Sequence, residues 1–175
     1  MKVLIAGAGI GGLTTALMLH ARGIPVQIYE TAAEVREAGV GINILPHAIR
    51  ELETLGLLPA LDVVGLRTRR LTYYTRSGQE VWSELRGTYA GHEVPQFSIH
   101  RGRLQHLLYK AVLDRLGPKA VQTGRRLGGF VQDDKGITAH FANSIDGSKG
   151  ITVRGDVLIC CDGIHSAGRK VFYPN

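Results

Sequence analysis

A glycine-rich segment near the amino terminus has the residue types and spacing of a phosphate-binding turn. Residues 7–12 read Gly-Ala-Gly-Ile-Gly-Gly and fit the G-x-G-x-x-G pattern. In such a turn Gly7 leaves a strand tightly, Gly9 lets a pyrophosphate approach the backbone, and Gly12 lets the next helix pack close to the sheet. The start of that helix offers free N–H groups and a positive dipole end to phosphates. The segment predicts a nucleotide-binding loop, and the alternative is a purely structural glycine turn.

An acidic residue stands where this type of loop requires one. Glu30 follows Gly12 by 18 residues and ends the second predicted strand. A carboxylate at that point can accept hydrogen bonds from the hydroxyl groups of a ribose. No arginine stands beside Glu30, which disfavours the 2′-phosphate of NADP at this site. On these residues alone, both FAD and NAD remain open as the bound nucleotide.

The elements that must position these residues follow from hydrophobic patterning. Val3–Ala6 is a short continuous apolar run, which is typical of a parallel strand buried on both faces. Ile10–Arg22 has helical spacing and stops at Gly23, and Val26–Glu30 is the next strand. Asp156–Cys161 is a further apolar run of the same kind. Together these segments predict a Rossmann-type parallel sheet with ligands at the carboxyl ends of its strands.

The remaining patterns predict helices, a hairpin and a meander. They are an extended stretch at 42–45, helices at 46–55, 58–64 and 102–116, a hairpin at 70–83, strands at 96–100 and 120–123, and a meander of antiparallel strands at 129–153. Five aromatic residues fall on the predicted second sheet, where core packing is their expected role and one or two could line a pocket: Tyr73, Tyr74, Trp82, Tyr89 and Phe97.

Composition and charge exclude several classes of protein. The 175 residues are 44% hydrophobic and 21% charged, which excludes a disordered, collagen-like or coiled-coil chain. The net charge of +6 favours anionic ligands such as nucleotides. Nucleic acid is not expected as a partner, because the basic residues are scattered and cluster only briefly, as at Arg125 and Arg126.

The cysteines and the lengths of the apolar runs indicate in which cellular compartment the protein is expected. The two cysteines, Cys160 and Cys161, are adjacent, so they form no disulfide framework, and they are expected to be small buried hydrophobic residues. A reducing cytoplasm is the expected location. No apolar run approaches the ~18 residues that a membrane span needs, and no residue spacing predicts a metal site.

Three further motifs carry a resemblance to a known family. Residues 162–169 read Asp-Gly-Ile-His-Ser-Ala-Gly-Arg and match the pattern D-G-x-x-S-x-x-R. Residues 99–105 resemble an H-R-x-x-L-Q element, and residues 39–46 resemble a G-x-G-I-x-L-x-P stretch. In order and spacing, the chain resembles the class A flavoprotein monooxygenases, which are FAD-dependent aromatic hydroxylases. The match covers all 175 residues but only the amino-terminal portion of that family.

The resemblance implies roles for individual residues. Glu30 would bind the adenosine ribose, Arg101 the diphosphate or ribityl region, and Leu127 the adenine through its backbone. Without the resemblance, Arg101 would be interpreted as a salt-bridging residue at a helix start and Asp162-Gly163 as a plain turn. Arg36 is either a contact to FAD or a solvated arginine. No catalytic residue is predicted. The predicted cofactor-binding residues are Gly7, Gly9, Gly11, Gly12, Glu30, Arg36, Gly41, Arg101, Leu127, Asp162 and Gly163.

The resemblance also implies an activity. The expected enzyme is an FAD-dependent monooxygenase in which NADH or NADPH reduces FAD, and the reduced flavin forms a C4a-hydroperoxide with O2. That species hydroxylates a small aromatic or heteroaromatic compound. The alternatives are an FAD-dependent dehydrogenase or reductase on the same scaffold, and a truncated nucleotide-binding fragment without turnover. The identity of the substrate, the choice of NADH or NADPH and the oligomeric state are left open.

The expected fold follows from the same resemblance. It is an α/β, three-layer Rossmann-type FAD-binding fold with a β-meander and part of an antiparallel substrate-domain sheet. Residues 1–65 and 100–175 would form the FAD-binding domain, and residues 66–99 would belong to the substrate sheet. The family's second signature, Gly-Asp, and its carboxyl-terminal half are absent from these 175 residues, so the chain is expected to be a fragment or to lack its remainder for another reason.

Overall fold

The computed structural model describes residues 1–37 and 39–174. Its backbone forms two compact units, Met1–Arg36 with Leu108–Asn175 and Glu37–Leu107. The predicted division into cofactor-binding and substrate-binding segments concerns function. It stays a prediction, because compactness does not say what a segment binds.

The secondary structure alternates between strands and helices along the chain. The strands are β1 Val3–Ala6, β2 Val26–Tyr29, β3 Gly41–Ile44, β4 Gly65–Arg67, β5 Arg70–Tyr74, β6 Glu80–Leu85, β7 Phe97–His100, β8 Val121–Gln122, β9 Arg125–Asp133, β10 Gly136–Asn143, β11 Ile151–Gly155 and β12 Val157–Cys160. The α-helices are α1 Ile10–His20, α2 Pro46–Thr54, α3 Leu58–Val64, α4 Arg101–Leu116 and α5 Ala167–Phe172, and a 3₁₀ turn spans Gly87–Ala90.

A parallel sheet organises the first unit, with the strand order β12, β1, β2, β8. The apolar run of β1 is buried because strands flank it on both sides: Val3 aligns with Val26 on β2 and with Val157 on β12. Helix α1 joins β1 to β2 and contacts both strands. It ends at His20, and the chain then turns at Gly23, whose φ of +71° is a conformation that glycine adopts without strain.

The meander of β9, β10 and β11 packs on one face of this sheet. Leu4 and Ala6 of β1 share a buried cluster with residues of the meander, and Tyr29 stacks on Phe141 with 4.2 Å between the ring centroids. Because alternate strand residues face opposite sides, the equally buried Ile5 faces the other side of the sheet. The predicted α/β fold with a parallel sheet and a β-meander is confirmed, although β9 begins at Arg125 rather than at residue 129.

The described residues of the second unit form two small antiparallel sheets. One has the order β3, β7, β4 and buries Phe97, and the other is the hairpin β5–β6. The expectation of core packing holds for Phe97 alone among the five aromatic residues. It is wrong for the other four, which are exposed: Tyr73, Tyr74 and Trp82 lie on the two-stranded hairpin, and Tyr89 lies in the 3₁₀ turn that follows it.

No helix in residues 1–37 and 39–174 is long and apolar enough to cross a membrane. Within those ranges, no group of three or more His, Cys, Asp or Glu side chains is arranged to hold a metal ion.

Candidate functional site

The carboxyl ends of three neighbouring parallel strands bring the predicted loop residues together in the first unit. Strand β1 leads into the glycine loop, β2 ends beside Glu30, and β12 leads towards Asp162. The backbone ties the three ends to one another, since Gly7 N–H donates to the Tyr29 carbonyl at 2.7 Å and Cys161 N–H donates to the Ala6 carbonyl at 2.8 Å. This edge is where doubly wound α/β sheets place their ligands.

The four glycines of the loop divide into two pairs with different surroundings. A Cβ on Gly7, whose φ is +101°, would overlap the carbonyl of Cys161, and a Cβ on Gly12 would overlap the carbonyl of Gly7. These two glycines allow close backbone packing. By contrast, a Cβ on Gly9 or Gly11 would meet no atom within 4 Å. Gly9 and Gly11 therefore border open space, as a cradle for a pyrophosphate requires.

The Glu30 carboxylate lies against the glycine loop. Its Oε2 accepts from Ala8 N–H at 2.6 Å, and its Oε1 accepts from Ala32 N–H at 2.8 Å. An ionised carboxylate has about four acceptor positions, so these two bonds leave lone pairs for the hydroxyl groups of a ribose. Glu30 thus has two physical roles available to it, fixing the loop and accepting from a sugar.

Substitution of Glu30 separates these roles. We expect Glu30→Ala to weaken FAD binding at least several-fold, because hydrogen bonds to a charged group contribute ~1.5–3 kcal/mol each. Glu30→Gln, which keeps one acceptor oxygen, should have a smaller effect. Flavin fluorescence titration measures the affinity, and Glu53→Gln, an exposed change of the same charge on α2, is the control. Unchanged affinity in Glu30→Ala would contradict the assignment of Glu30.

The Asp162 loop presents an acceptor that no described residue uses. Asp162 Oδ2 accepts from the backbone N–H groups of Ala167 at 2.7 Å and Gly168 at 3.3 Å, at the start of α5. Its Oδ1 is buried and has no hydrogen-bond partner within residues 1–37 and 39–174. A buried acceptor without a partner is unfavourable by ~1–3 kcal/mol. It is therefore an observation that points to a missing donor, such as a hydroxyl group of a ligand.

Neighbouring residues hold this loop in place. Gly163 has a φ of +81°, a left-handed conformation that suits glycine. The Ser166 side chain caps α5 by accepting from Arg169 N–H at 2.8 Å. Sequence reasoning matched Ser166 to a motif but assigned it no role; a serine directly before a helical segment was the available signal.

The two cysteines pack beside this loop. Both are free and half-buried, so they are less buried than expected, because β12, which ends at Cys160, lies at the edge of the described parallel sheet. Burial, with smaller contributions from Asp162 and Cys161, raises the pKa of the Cys160 thiol to about 11. Burial also raises the pKa of Cys161. Both thiols are therefore protonated near neutral pH, which disfavours a nucleophilic role.

Leu127 and Arg36 complete the candidates in the first unit. The Leu127 side chain is buried in the cluster shared by β1 and β10, so only its backbone could face a ligand. Arg36 pairs with Glu34 at 2.9 Å, and its side chain is 80% exposed. That exposure fits the alternative of a solvated arginine, while a contact to FAD stays a prediction for both residues.

Gly41 and Arg101 lie in the second unit. Gly41 pairs with His100 across β3 and β7, and Arg101 N–H donates to the Val40 carbonyl at 3.0 Å. A Cβ on Gly39, whose φ is +134°, would lie 2.6 Å from Nε of Arg101. Gly39 therefore gives the Arg101 side chain room to cross this segment. The contacts of Gly41 and Arg101 with FAD stay predictions.

The residues of the first unit fit a dinucleotide such as FAD. The open space at Gly9 and Gly11 suits a pyrophosphate, the carboxylate of Glu30 suits one sugar hydroxyl pair, and the unpartnered oxygen of Asp162 suits another hydroxyl. The N–H groups of the loop can donate to the phosphates of that cofactor, and the carboxylates on either side of the loop can accept from its hydroxyl groups.

Comparisons with known proteins support this reading of the site. A family model described as an FAD binding domain matches residues 1–172. A phenazine 1,6-dicarboxylic acid hydroxylase of Lysobacter antibioticus is 46% identical over 174 residues, which cover 99% of this chain and 43% of that protein. An FAD-dependent urate hydroxylase of Klebsiella pneumoniae is 31% identical over 183 residues, which cover 97% of this chain and 42% of the relative.

Solved structures agree with the fold. The crystal structure of Klebsiella pneumoniae HpxO complexed with FAD and uric acid superposes with a TM-score of 0.79 at 30% identity. The match covers 98% of this chain and 41% of that one. The chain therefore spans less than half the length of the relatives that it matches.

Proposed function

We propose, from the premise that the chain belongs to the FAD-binding domain family, that it forms the nucleotide-binding part of an FAD-dependent monooxygenase acting on an aromatic or heteroaromatic compound. The observation that carries the proposal is the pair of carboxylates at one edge of the parallel sheet. Glu30 lies against the glycine loop, and Asp162 keeps one oxygen without a partner among the described residues. Acceptors on both sides of open glycines suit a sugar–pyrophosphate–sugar ligand.

The proposed chemistry combines the cofactor with this chain's own residues. When bound, FAD supplies the electron transfer from NADH or NADPH and the activation of O2 that hydroxylation of a ring requires. The loop N–H groups hold the pyrophosphate, Glu30 accepts from the adenosine ribose, and Asp162 accepts from a further hydroxyl group. The two neutral thiols take no part, and their unpaired state favours a reducing compartment such as the cytoplasm.

The relatives indicate which substrates to test first. One relative is named for phenazine 1,6-dicarboxylic acid and another for urate, and both compounds are nitrogen heteroaromatics. The phenazine relative is the more similar of these two, at 46% identity. We therefore propose a phenazine carboxylic acid, or a compound of similar shape, as the substrate of the complete protein.

The test has a binding step and a turnover step. The chain is mixed with FAD and passed through a gel-filtration column, and we expect the flavin absorbance to elute with the protein. The complete protein that carries this chain is then assayed with NADH or NADPH, phenazine-1-carboxylate and isotopically labelled O2. We expect substrate-stimulated O2 consumption and label in the product. An oxidised product without label would favour a dehydrogenase instead, and loss of flavin on the column would contradict the proposal.

A further inference from the structure

A cleft of about 400 Å³ opens in the second unit, between the start of α2 and the end of β6. This volume lies within the range of about 300–1,000 Å³ that is typical of small-molecule sites. Part of its wall is apolar, since Leu45, Pro46, Leu85 and Ala90 line it. The apolar part of a ligand can therefore be buried here.

The same cleft carries an excess of positive charge. Arg50 and Arg86 line it together with one carboxylate, Glu84. Arg86 pairs with Glu84 through Nη2, whereas Arg50 makes no ion pair with any residue in the described part of the chain. With histidines neutral, the two arginines and one glutamate leave a net charge of +1. An aromatic ligand with an anionic substituent complements this combination of walls and charge.

The position of Arg86 is fixed by the backbone beside it. Gly87 follows Arg86 with a φ of +56°, and a Cβ there would overlap the backbone nitrogen of Gln96. Gln96, which also lines the cleft, is only 3% exposed. The Arg86 side chain is 27% exposed, and its Nε is buried without a hydrogen-bond partner among the described residues. The ion pair with Glu84 holds the guanidinium at the cleft, while its Nε is not used by any described residue.

We propose that this cleft binds the carboxylate of an aromatic acid, and that Arg86 and Arg50 select the acid over an uncharged analogue of the same shape. The inference rests on the proposed function, because it identifies residues that would determine which ring compound the enzyme takes. Arginine suits the role because its planar donors match the two oxygens of a carboxylate. Glu84 orients Arg86 and, by its own charge, limits the affinity for anions.

The test compares two probes that differ in charge but hardly in shape. Isothermal titration calorimetry measures the binding of phenazine-1-carboxylate and of phenazine-1-carboxamide to this chain. We expect the carboxylate to bind about ten-fold more tightly, a difference typical of a charge-assisted pair. Arg50→Met and Arg86→Met should each remove most of this preference, and Glu84→Gln should strengthen the binding of the carboxylate. Arg76→Met, an equal charge change at an exposed hairpin position that does not line the cleft, should leave the preference intact.

The controls distinguish effects on folding, on FAD binding and on ligand binding in the cleft. Arg86→Met leaves Glu84 without its partner. The melting temperature of this variant is therefore measured together with that of Arg86→Lys, which keeps the positive charge. If Arg86→Met unfolds, the test relies on Arg50→Met, because Arg50 is exposed. FAD retention is measured in the same samples, so failure to bind FAD counts against the proposed function alone. Equal affinity for the two probes, or a preference that survives both arginine substitutions, would overturn the assignment of the cleft.

Discussion

Valine at Gly9 should leave the protein folded and abolish FAD binding. The backbone of Gly9 is extended, with φ −72° and ψ 179°, which any residue adopts, and a Cβ there meets no atom within 4 Å. The added side chain instead occupies the space where a pyrophosphate would approach the loop. We expect a melting temperature within a few degrees of the wild type, because the change touches no packed atom, and no flavin absorbance after gel filtration.

Alanine at Gly12 is the matched control. It should impair folding first and FAD binding only as a consequence, which is the opposite of the result expected for Gly9→Val. Its Cβ would overlap the carbonyl of Gly7, which is backbone and cannot rotate away. We expect a loss of at least ~1–3 kcal/mol in the free energy of unfolding, the range of overpacked cores. Circular dichroism on heating measures this loss without reference to flavin. A Gly9→Val protein that stays folded and retains FAD would refute phosphate binding at this loop.

The contrast between these glycines shows what the sequence could predict. The motif and the strand before it were enough to give Gly7, Gly9 and Gly12 separate roles, because those roles follow from local turn geometry. The structure agrees at Gly7 and Gly12, where a Cβ has no room, and at Gly9, where it has ample room. That a phosphate binds at Gly9 stays a prediction, which a measurement of FAD binding would test.

Other features depend on contacts between distant segments, and the sequence could not predict them. Nothing in the pattern around Asp162 shows that one of its oxygens is engaged at α5 while the other is buried without a partner. Likewise, the pattern around Arg86 does not show that Gly87 lies against Gln96, which is nine residues further along the chain and also lines the cleft. Apolar character alone also misplaced Trp82, because burial of a hairpin face depends on which element covers it.

Substitution of Asp162 should reduce FAD affinity while two controls report on stability. Asp162→Asn keeps one oxygen to accept from Ala167 N–H but replaces the other with an NH2 group. A donor then stands where a hydroxyl group of the cofactor needs an acceptor. Since a hydrogen bond to a charged group contributes ~1.5–3 kcal/mol, we expect FAD affinity to fall by about ten- to a hundred-fold. Asp162→Ala should lose the same affinity and also destabilise α5.

Ser166→Ala distinguishes a ligand role from a structural one. Removing this cap should lower the free energy of unfolding by ~1 kcal/mol, as N-cap losses do, because Ser166 serves α5 through Arg169 N–H. The same variant should bind FAD almost as tightly as the wild type. Flavin titration then ranks the three variants by FAD affinity, and thermal unfolding ranks them independently by stability. If Asp162→Asn bound FAD like the wild type, the unpartnered oxygen would have no cofactor role, and the buried carboxylate would serve only to hold α5 in place.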